Sequence, residues 1–535
     1  MIPSRLNEIV HRAGLEAQSL SKMTRAGLLP VTAPHKLPLL ALQMKKYGPF
    51  GGAIAASAVQ HGSYPAIADE RGEITYDDFN RQINQLANVF RATYQPGQTV
   101  GVLCRNHRTP LLVAFAASRA GLSTVWLNTA FSAKQAAEVA TREGVDVLFC
   151  DADLAAAAAD LDIPVFIADI TQAEDEVTGL VATGSPAAPP SPAKPGRIII
   201  LTSGTTGTPK GAPRTEPKGY TLPGALLDRM PMRAREATVI GPPLFHGTGL
   251  IMTLITFGLG SKVVLRRQFD PETFVADMAK HKATALCMVP VLIQRIIALP
   301  TEVTEKYDTS ALKAVFCSGS QLPSAVSKEF QDRFGEVIYN LYGSTEVSLA
   351  TMANPDVVRD HPTSVGTPML GSRVVILDEK NKPVKPGQTG KVFVGTVTPF
   401  EGYTGGGHKE IVDGLMATGD VGHFEGGLLY IDGRDDDMIV SGGENVFPAE
   451  VEELLIKHPA VREVAVVGVD DEQFGSRLRA FIALKDGASL TEAEVKDLVK
   501  DNLARYKVPR DVYFLDNLPR NPTGKVLKRE LVTWE

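Results

Sequence analysis

The feature that most constrains this chain is a strand-like run that empties into a loop of glycines and hydroxyls. Arg197-Ile198-Ile199-Ile200-Leu201 is apolar and β-branched, and Thr202-Ser203-Gly204-Thr205-Thr206-Gly207-Thr208-Pro209-Lys210-Gly211 follows it directly. Glycines let backbone N–H groups approach an anion closely. The hydroxyls donate hydrogen bonds, and Lys210 adds a point charge on a flexible stem. The element is built to hold phosphate at the end of a buried strand. It is not a Walker loop, which needs glycine before the lysine and a magnesium-binding hydroxyl after it. Pro209 and Gly211 occupy those places.

The surrounding pattern alternates strand and helix. Strands are expected at 100–104, 123–127 and 145–150, with helices at 110–120 and 132–143, which implies a largely parallel sheet covered by helices. Residues 184–196 form a Pro/Ala-rich connection to the phosphate strand. A second α/β series runs over 239–343, with buried strands at 285–289 and 314–318. Short β-type runs at 372–377 and 390–397 indicate a small β-rich subdomain. Beyond Arg434 come a helix at 448–458, strands at 464–469 and 478–484, a helix at 491–503 and a strand at 512–515. That is enough for a separate small domain.

At 535 residues the chain exceeds what one core organises, so at least two domains are expected. A formal net charge of -6 argues against a nucleic-acid partner. Cys104, Cys150, Cys287 and Cys317 show no metal-ligand spacing and read as reduced thiols in a reducing compartment. No secretory signal opens the sequence, and a cytoplasmic location is expected. Residues 237–261 carry no formal charge over a length that spans a bilayer, but Gly241, Pro242, Pro243, His246, Gly247 and Gly249 fit a strand, a loop and a core helix better. Residues 22–50 mix leucines with basic residues. They either pack on the domain surface, with prolines breaking any long amphipathic face, or touch the inner face of a membrane peripherally.

Further motifs follow in order. Tyr342-Gly343-Ser344-Thr345-Glu346 combines a stacking ring, a glycine, hydroxyls and a hard carboxylate ligand. Asp420 and Arg434 flank an apolar strand, and Pro519-Arg520-Asn521-Pro522-Thr523-Gly524-Lys525 presents a lysine on a shaped loop. From about residue 63 to 528 these motifs resemble the adenylate-forming superfamily of acyl-CoA synthetases, luciferases and peptide-synthetase adenylation domains, and most of all bacterial fatty-acyl-CoA synthetases.

The resemblance implies an α/β fold, with a large N-terminal domain of α/β subdomains plus a small β-rich subdomain over 1–435. A small mobile α+β domain then covers 436–535. ATP would contact Thr202, Ser203, Gly204, Thr205, Thr206, Gly207, Lys210, Ser318, Gly319, Ser320, Tyr342, Gly343, Ser344, Asp420 and Arg434. Glu346 would bind Mg²⁺. Lys525 would be catalytic, with Thr345 on phosphate and His246 lining the carboxylate site. Asp436 would be the hinge, and Gly442 and Gly443 would border the CoA channel.

The implied reaction makes an acyl-adenylate from a carboxylic acid and ATP, then a CoA thioester. Leu250, Ile251 and Leu254 suit an alkyl or aryl group, and the resemblance to fatty-acyl-CoA synthetases implies a medium- to long-chain fatty acid, with an aryl acid second. A carrier protein as acceptor, a luciferase-like oxygenase and a nucleotide sensor stay open. Two departures stand out: Lys391 replaces the family's usual glutamate, and Phe474 a frequent tryptophan.

Overall fold

The β-branched runs form the strands that their composition dictates. In the computed structural model, Thr99–Leu103 (β1), Ser123–Trp126 (β2), Val145–Asp151 (β3), Val165–Ala168 (β4) and Ile198–Leu201 (β5) are parallel, and Gly211–Pro213 (β6) returns antiparallel to β5. The order is β4-β3-β1-β2-β5-β6. The structure describes residues 2–30, 32–194, 196–201, 211–213, 219–397, 400, 402–404, 406, 408–435, 437–441, 444–471 and 475–534.

The chain divides into two units. The first comprises Met1–Met288, Ala298–Phe316 and Val397–His408; the second comprises Val289–Ile297, Cys317–Thr396 and Lys409–Glu535. Two long helices, Ile2–Ala26 (α1) and Leu37–His61 (α2), open the first unit. The sequence pattern did not mark either as a long helix, and in α2 Pro38 and Pro49 suggested breaks. Pro38 instead sits in the first turn of α2, where a missing N–H is harmless, and Pro49 follows a kink at Gly48 (φ 76°).

Helix Arg108–Ala120 (α3) is buried from Thr109 to its end, opens on a His107 cap and stops at left-handed Gly121 (φ 82°). Leu103, Val125, Val139, Leu148, Cys150 and Ile199 pack as one core on the sheet. The uncharged stretch resolves as expected into strand Ala237–Ile240 (β7), a loop and helix Gly247–Gly258 (α4). Among the described residues no helix is long and apolar enough to cross a membrane. All four cysteines are buried and none is in a disulfide.

In the second unit, Ile338–Ser344 (β8) pairs antiparallel with Ser348–Ala353 (β9). Leu415–Glu425 (β10) pairs with Leu428–Arg434 (β11) in a five-stranded antiparallel sheet that also holds Arg373–Leu377 and Gly390–Gly395. Then come helix Pro448–Leu455 (α5), hairpin strands Val461–Asp471 (β12) and Gly475–Leu484 (β13), helix Glu492–Asn502 (α6) and strand Asp511–Phe514. Helix α5 opens on Pro448 without a side-chain cap, whereas Thr491 and Glu494 form a capping box on α6. Val451, Leu455, Val466, Ala480, Ile482 and Val495 bury the helices against this sheet.

Candidate active site

Strand β5 runs to Leu201, and its cross-strand partner is Gly211 at the start of β6. The phosphate loop therefore leaves and re-enters the sheet at adjacent points. Thr202, Ser203, Gly204, Thr205, Thr206, Gly207 and Lys210 themselves lie outside the described residues. The re-entry point is clamped within the first unit. Gly211 N–H donates to Thr404 Oγ1 at 2.9 Å, Thr404 N–H donates back to Gly211 O at 2.9 Å, and Thr404 Oγ1 donates to Glu143 Oε1 at 2.7 Å. A Cβ on Gly211 would meet Thr404 Oγ1 at 2.7 Å, so the position admits only glycine without displacement. Sequence reasoning missed Thr404 and Glu143, and nothing local marks a contact across such separations.

The second unit holds the residues from Ser318 onward that were expected to meet the nucleotide. The strand carrying Tyr342 extends through Ser344, so the motif begins inside β8 rather than after it. The ladder is irregular between Tyr342 and Gly343, and Ser348 takes a left-handed φ of 61°. A Cβ on Gly343 would lie 1.9 Å from Ser348 O, so the close approach of the two strands requires glycine. The tight connection turns Thr345 and Glu346 out at its tip. Ser344 Oγ donates to Glu346 Oε2 at 2.7 Å and accepts from Glu346 N–H at 3.2 Å.

Tyr342 donates to Asp420 Oδ2 at 2.5 Å. Asp420 is the direct cross-strand partner of Arg434, whose Nη1 reaches Asp420 Oδ1 at 3.5 Å. Thr418 Oγ1 accepts from Asp420 N–H at 3.0 Å and fixes the bend before it. Burial raises the Asp420 carboxyl above its ordinary value, against Tyr342, Arg434, Thr418 and Lys525, which favour the charge. Burial and the neighbouring Asp420 likewise push the Tyr342 phenol far up, so it stays a hydrogen-bond donor.

Lys525 sits on a loop organised by Asn521. The Asn521 side-chain oxygen accepts from Thr523 N–H at 3.0 Å, Thr523 Oγ1 at 2.7 Å and Lys525 N–H at 2.9 Å. Arg520 braces the loop by donating to Gly524 O at 2.6 Å and Glu463 Oε2 at 2.7 Å. Gly524 has φ 85°, and a Cβ there would meet Val291 Cγ1 at 2.4 Å. Desolvation lowers the Lys525 pKa below an ordinary lysine, with Arg434 adding to the fall and Asp420 and Glu346 opposing it. The residue is exposed as a whole, so solvent tempers these effects. Lys525, Asp420, Arg434 and Glu346 thus share one electrostatic neighbourhood in the second unit.

Ser318 is buried at the end of strand Ala314–Cys317. Gly319 turns the chain at φ 101°, with Val289 Cγ1 3.2 Å from its would-be Cβ, and Ser320 is exposed. In the first unit His246 caps α4, its Nδ1 accepting from Thr248 N–H at 3.4 Å. That bond puts the proton of a neutral ring on Nε2. Asn106 pins the loop before it, accepting from Leu244 N–H and donating to Pro242 O, both at 2.8 Å. Asp436, Gly442, Gly443 and Phe474 lie outside the described residues.

Glu346 offers a carboxylate beside a hydroxyl at an exposed turn, a hard oxygen donor of the kind Mg²⁺ takes, so the residues fit that ion. The AMP-binding enzyme pattern matches residues 54–404, and that of the AMP-binding enzyme C-terminal domain matches 450–525. The chain belongs to the AMP-binding enzyme family. Feruloyl-CoA synthase of an Amycolatopsis species is 31% identical over 487 residues, spanning 89% of this chain and 95% of the relative. Fatty acid–[acyl-carrier-protein] ligase ScoC of Streptomyces coeruleorubidus is 28% identical over 482 residues, 87% of this chain and 92% of the relative. The crystal structure of ATP-bound MatB from Rhodopseudomonas palustris superposes with a TM-score of 0.79 at 28% identity, covering 88% and 95% of the two chains. This AMP-binding enzyme is an adenylate-forming protein of the acyl/aryl-CoA ligase class. ATP, Mg²⁺ and CoA are the general requirement of that class.

Proposed function

We propose that the chain joins a medium- to long-chain fatty acid to CoA through an acyl-adenylate. The observation that carries the adenylation half is the neighbourhood of Lys525 with Asp420, Arg434 and Glu346. Asp420 and Arg434 suit ribose hydroxyls, and Tyr342 beside them supplies a ring face for adenine. Thr345 and the 202–210 loop hold the phosphates. Mg²⁺ on Glu346 neutralises phosphate charge when bound. The acid's carboxylate oxygen attacks the α-phosphorus and pyrophosphate leaves. Lys525 stabilises the negative charge that spreads over the carboxylate and the α-phosphate.

The acceptor step follows. The CoA thiolate adds to the acyl carbonyl, and AMP leaves with the electron pair of the mixed anhydride. Rotation of 436–535 about Asp436 exchanges Lys525 for Gly442 and Gly443, a hinge-type transition. Such motion separates two steps that need different groups, one at the α-phosphorus and one at the acyl carbon.

The body of the acid is read from helix α4. Leu250 is buried, Ile251 and Leu254 are half-buried, and none carries a charge to pair with a second carboxylate or an amine. An aryl acid is the second reading, favoured by the nearly full-length match to feruloyl-CoA synthase. The test measures AMP and CoA-thioester formation over straight-chain acids from hexanoate to stearate and over cinnamate-type acids. A maximum among the longer alkyl acids is expected. A maximum on aryl acids transfers the assignment to the second reading. AMP release without a thioester shifts the acceptor to a carrier protein. If no acid supports AMP formation, the ligase reading fails.

A further inference from the structure

Helix α2 begins with a stretch that the fold leaves uncovered. Residues 37–46 read Leu-Pro-Leu-Leu-Ala-Leu-Gln-Met-Lys-Lys, and the first buried residue of the helix is Tyr47. Leu37, Leu39 and Leu42 are 39%, 48% and 54% exposed, with Pro38 and Ala41 exposed beside them. The short turn Pro34–Lys36 that leads in buries nothing. The kink at Gly48 and Pro49 separates this arm from the half of α2 that packs inward through Phe50, Ile54, Ala55 and His61. An ordinary surface helix turns its leucines to the core and its charges to water. Here Leu37, Leu39 and Leu42 face water, and only Leu40 is half-buried.

The charge pattern coincides with that arm. No Asp or Glu occurs anywhere in residues 17–68, although the chain carries a net charge of -6. Lys22, Arg25, Lys36, Lys45 and Lys46 all fall in this interval. Lys22 pairs with Asp228 at 2.6 Å and Lys36 donates to Val59 O at 3.1 Å, so these two serve the fold. Lys46 lies over the Tyr47 ring at 4.8 Å, and Lys45 is exposed next to the leucines. The arm is a basic, apolar island on an acidic protein.

We propose that residues 34–46 dock on an anionic lipid surface, with Leu37, Leu39 and Leu42 entering the acyl boundary and Lys45 and Lys46 on the headgroups. Charge complementarity selects this occupant. A second copy of the same arm would bring positive against positive, whereas a phosphatidylglycerol-type surface supplies both negative charge and an apolar layer. The chain's net charge of -6 disfavours contact with such a surface elsewhere. The inference rests on residues outside the proposed catalytic set and holds whichever acid is activated.

The experiment is vesicle co-sedimentation of the full-length protein. Vesicles of phosphatidylcholine containing a quarter phosphatidylglycerol are compared with phosphatidylcholine alone. Binding to the anionic vesicles is expected, weakening as sodium chloride is raised. Lys45→Gln should lower the partition coefficient about fivefold. Leu39→Gln with Leu42→Gln should lower it by roughly tenfold or more. The double variant should keep its circular dichroism spectrum and its turnover of a water-soluble acid, since neither leucine is buried. Wild-type protein left in the supernatant overturns the proposal, as does equal binding of the double variant. A lipid-free dimer that the double variant dissociates, without vesicle binding, assigns the face to a second copy and also overturns it.

Discussion

Tyr342 donates its phenolic hydrogen to Asp420 Oδ2 at 2.5 Å, and the same carboxylate faces Arg434 as its partner across the β10–β11 ladder. One carboxylate thereby ties the strand that presents Thr345 and Glu346 to the hairpin that presents Arg434. Burial works against the charge of Asp420, raising its pKa. The charge is thus a cost to folding that the proposed ribose contact explains. Asp420→Asn keeps the shape and removes that cost. KM for ATP is expected to rise about ten- to a hundredfold, while the melting temperature stays level or rises. A drop in stability with unchanged KM would place Asp420 in the fold alone.

Lys525 is held in a loop whose every turn is specified, by Asn521, Arg520 and the left-handed Gly524. Lys525→Ala should slow adenylate formation about a hundred- to a thousandfold. A supplied acyl-adenylate should still be converted to its thioester, because that step does not use the lysine. The pH profile carries a second signature. Desolvation lowers the pKa of Lys525, so its positive charge is lost at a lower pH than in an ordinary lysine. The adenylation rate should therefore fall on the alkaline side earlier than free lysine predicts. Lys525→Arg should flatten that limb. Stopped-flow pyrophosphate release measures both.

Much of this architecture was legible because it depends on short-range pattern. The apolar runs at 145–150 and 314–318 became strands Val145–Asp151 and Ala314–Cys317, displaced by no more than one residue. The identities of Tyr342, Asp420, Arg434 and Lys525 came from motif resemblance, and the structure sets Asp420 against Tyr342 and Arg434. What stayed hidden depends on distant contacts. Gly343 reads as a turn glycine, but it lies in a strand, and the reason for glycine is the Ser348 carbonyl beside it. The prolines of the N-terminal arm look like breaks, yet Pro38 occupies a helix first turn. No sequence window contains both Gly211 and Thr404.

That last pair yields a prediction about the phosphate loop. Thr404 Oγ1 accepts from Gly211 N–H and donates to Glu143, whose side chain is only 2% exposed. Thr404→Val preserves shape but removes both bonds. Glu143 keeps Arg142 Nε at 2.8 Å. The expected loss of stability is about 1–3 kcal/mol. KM for ATP should rise with kcat nearly unchanged, because the clamp fixes where the loop re-enters the sheet and touches no reacting atom. Isothermal titration with ATP, alongside steady-state kinetics, checks the split.

His61 gives the chain an acid-sensitive point outside the proposed catalytic set. It ends α2, its Nδ1 accepts from Arg235 Nε at 3.2 Å, and its ring abuts Gly260, where a Cβ would stand 1.9 Å from Cδ2. Burial, then the charges of Arg235 and Lys36, lower its pKa to about 4. Between that value and the ordinary 6.5 the unfolded chain binds a proton that the folded chain does not. Stability is therefore fully present above the unfolded pKa and declines as pH falls through this window. The folded group takes up its proton only near the bottom. The loss approaches about 3 kcal/mol at most, and less because the site is not wholly sealed from solvent. His61→Gln offers an acceptor to Arg235 without a titrating ring. It should cost some packing at pH 7 but flatten the decline between pH 6.5 and 4. Urea midpoints of both proteins across that range decide the matter: parallel curves would show that other groups govern acid unfolding.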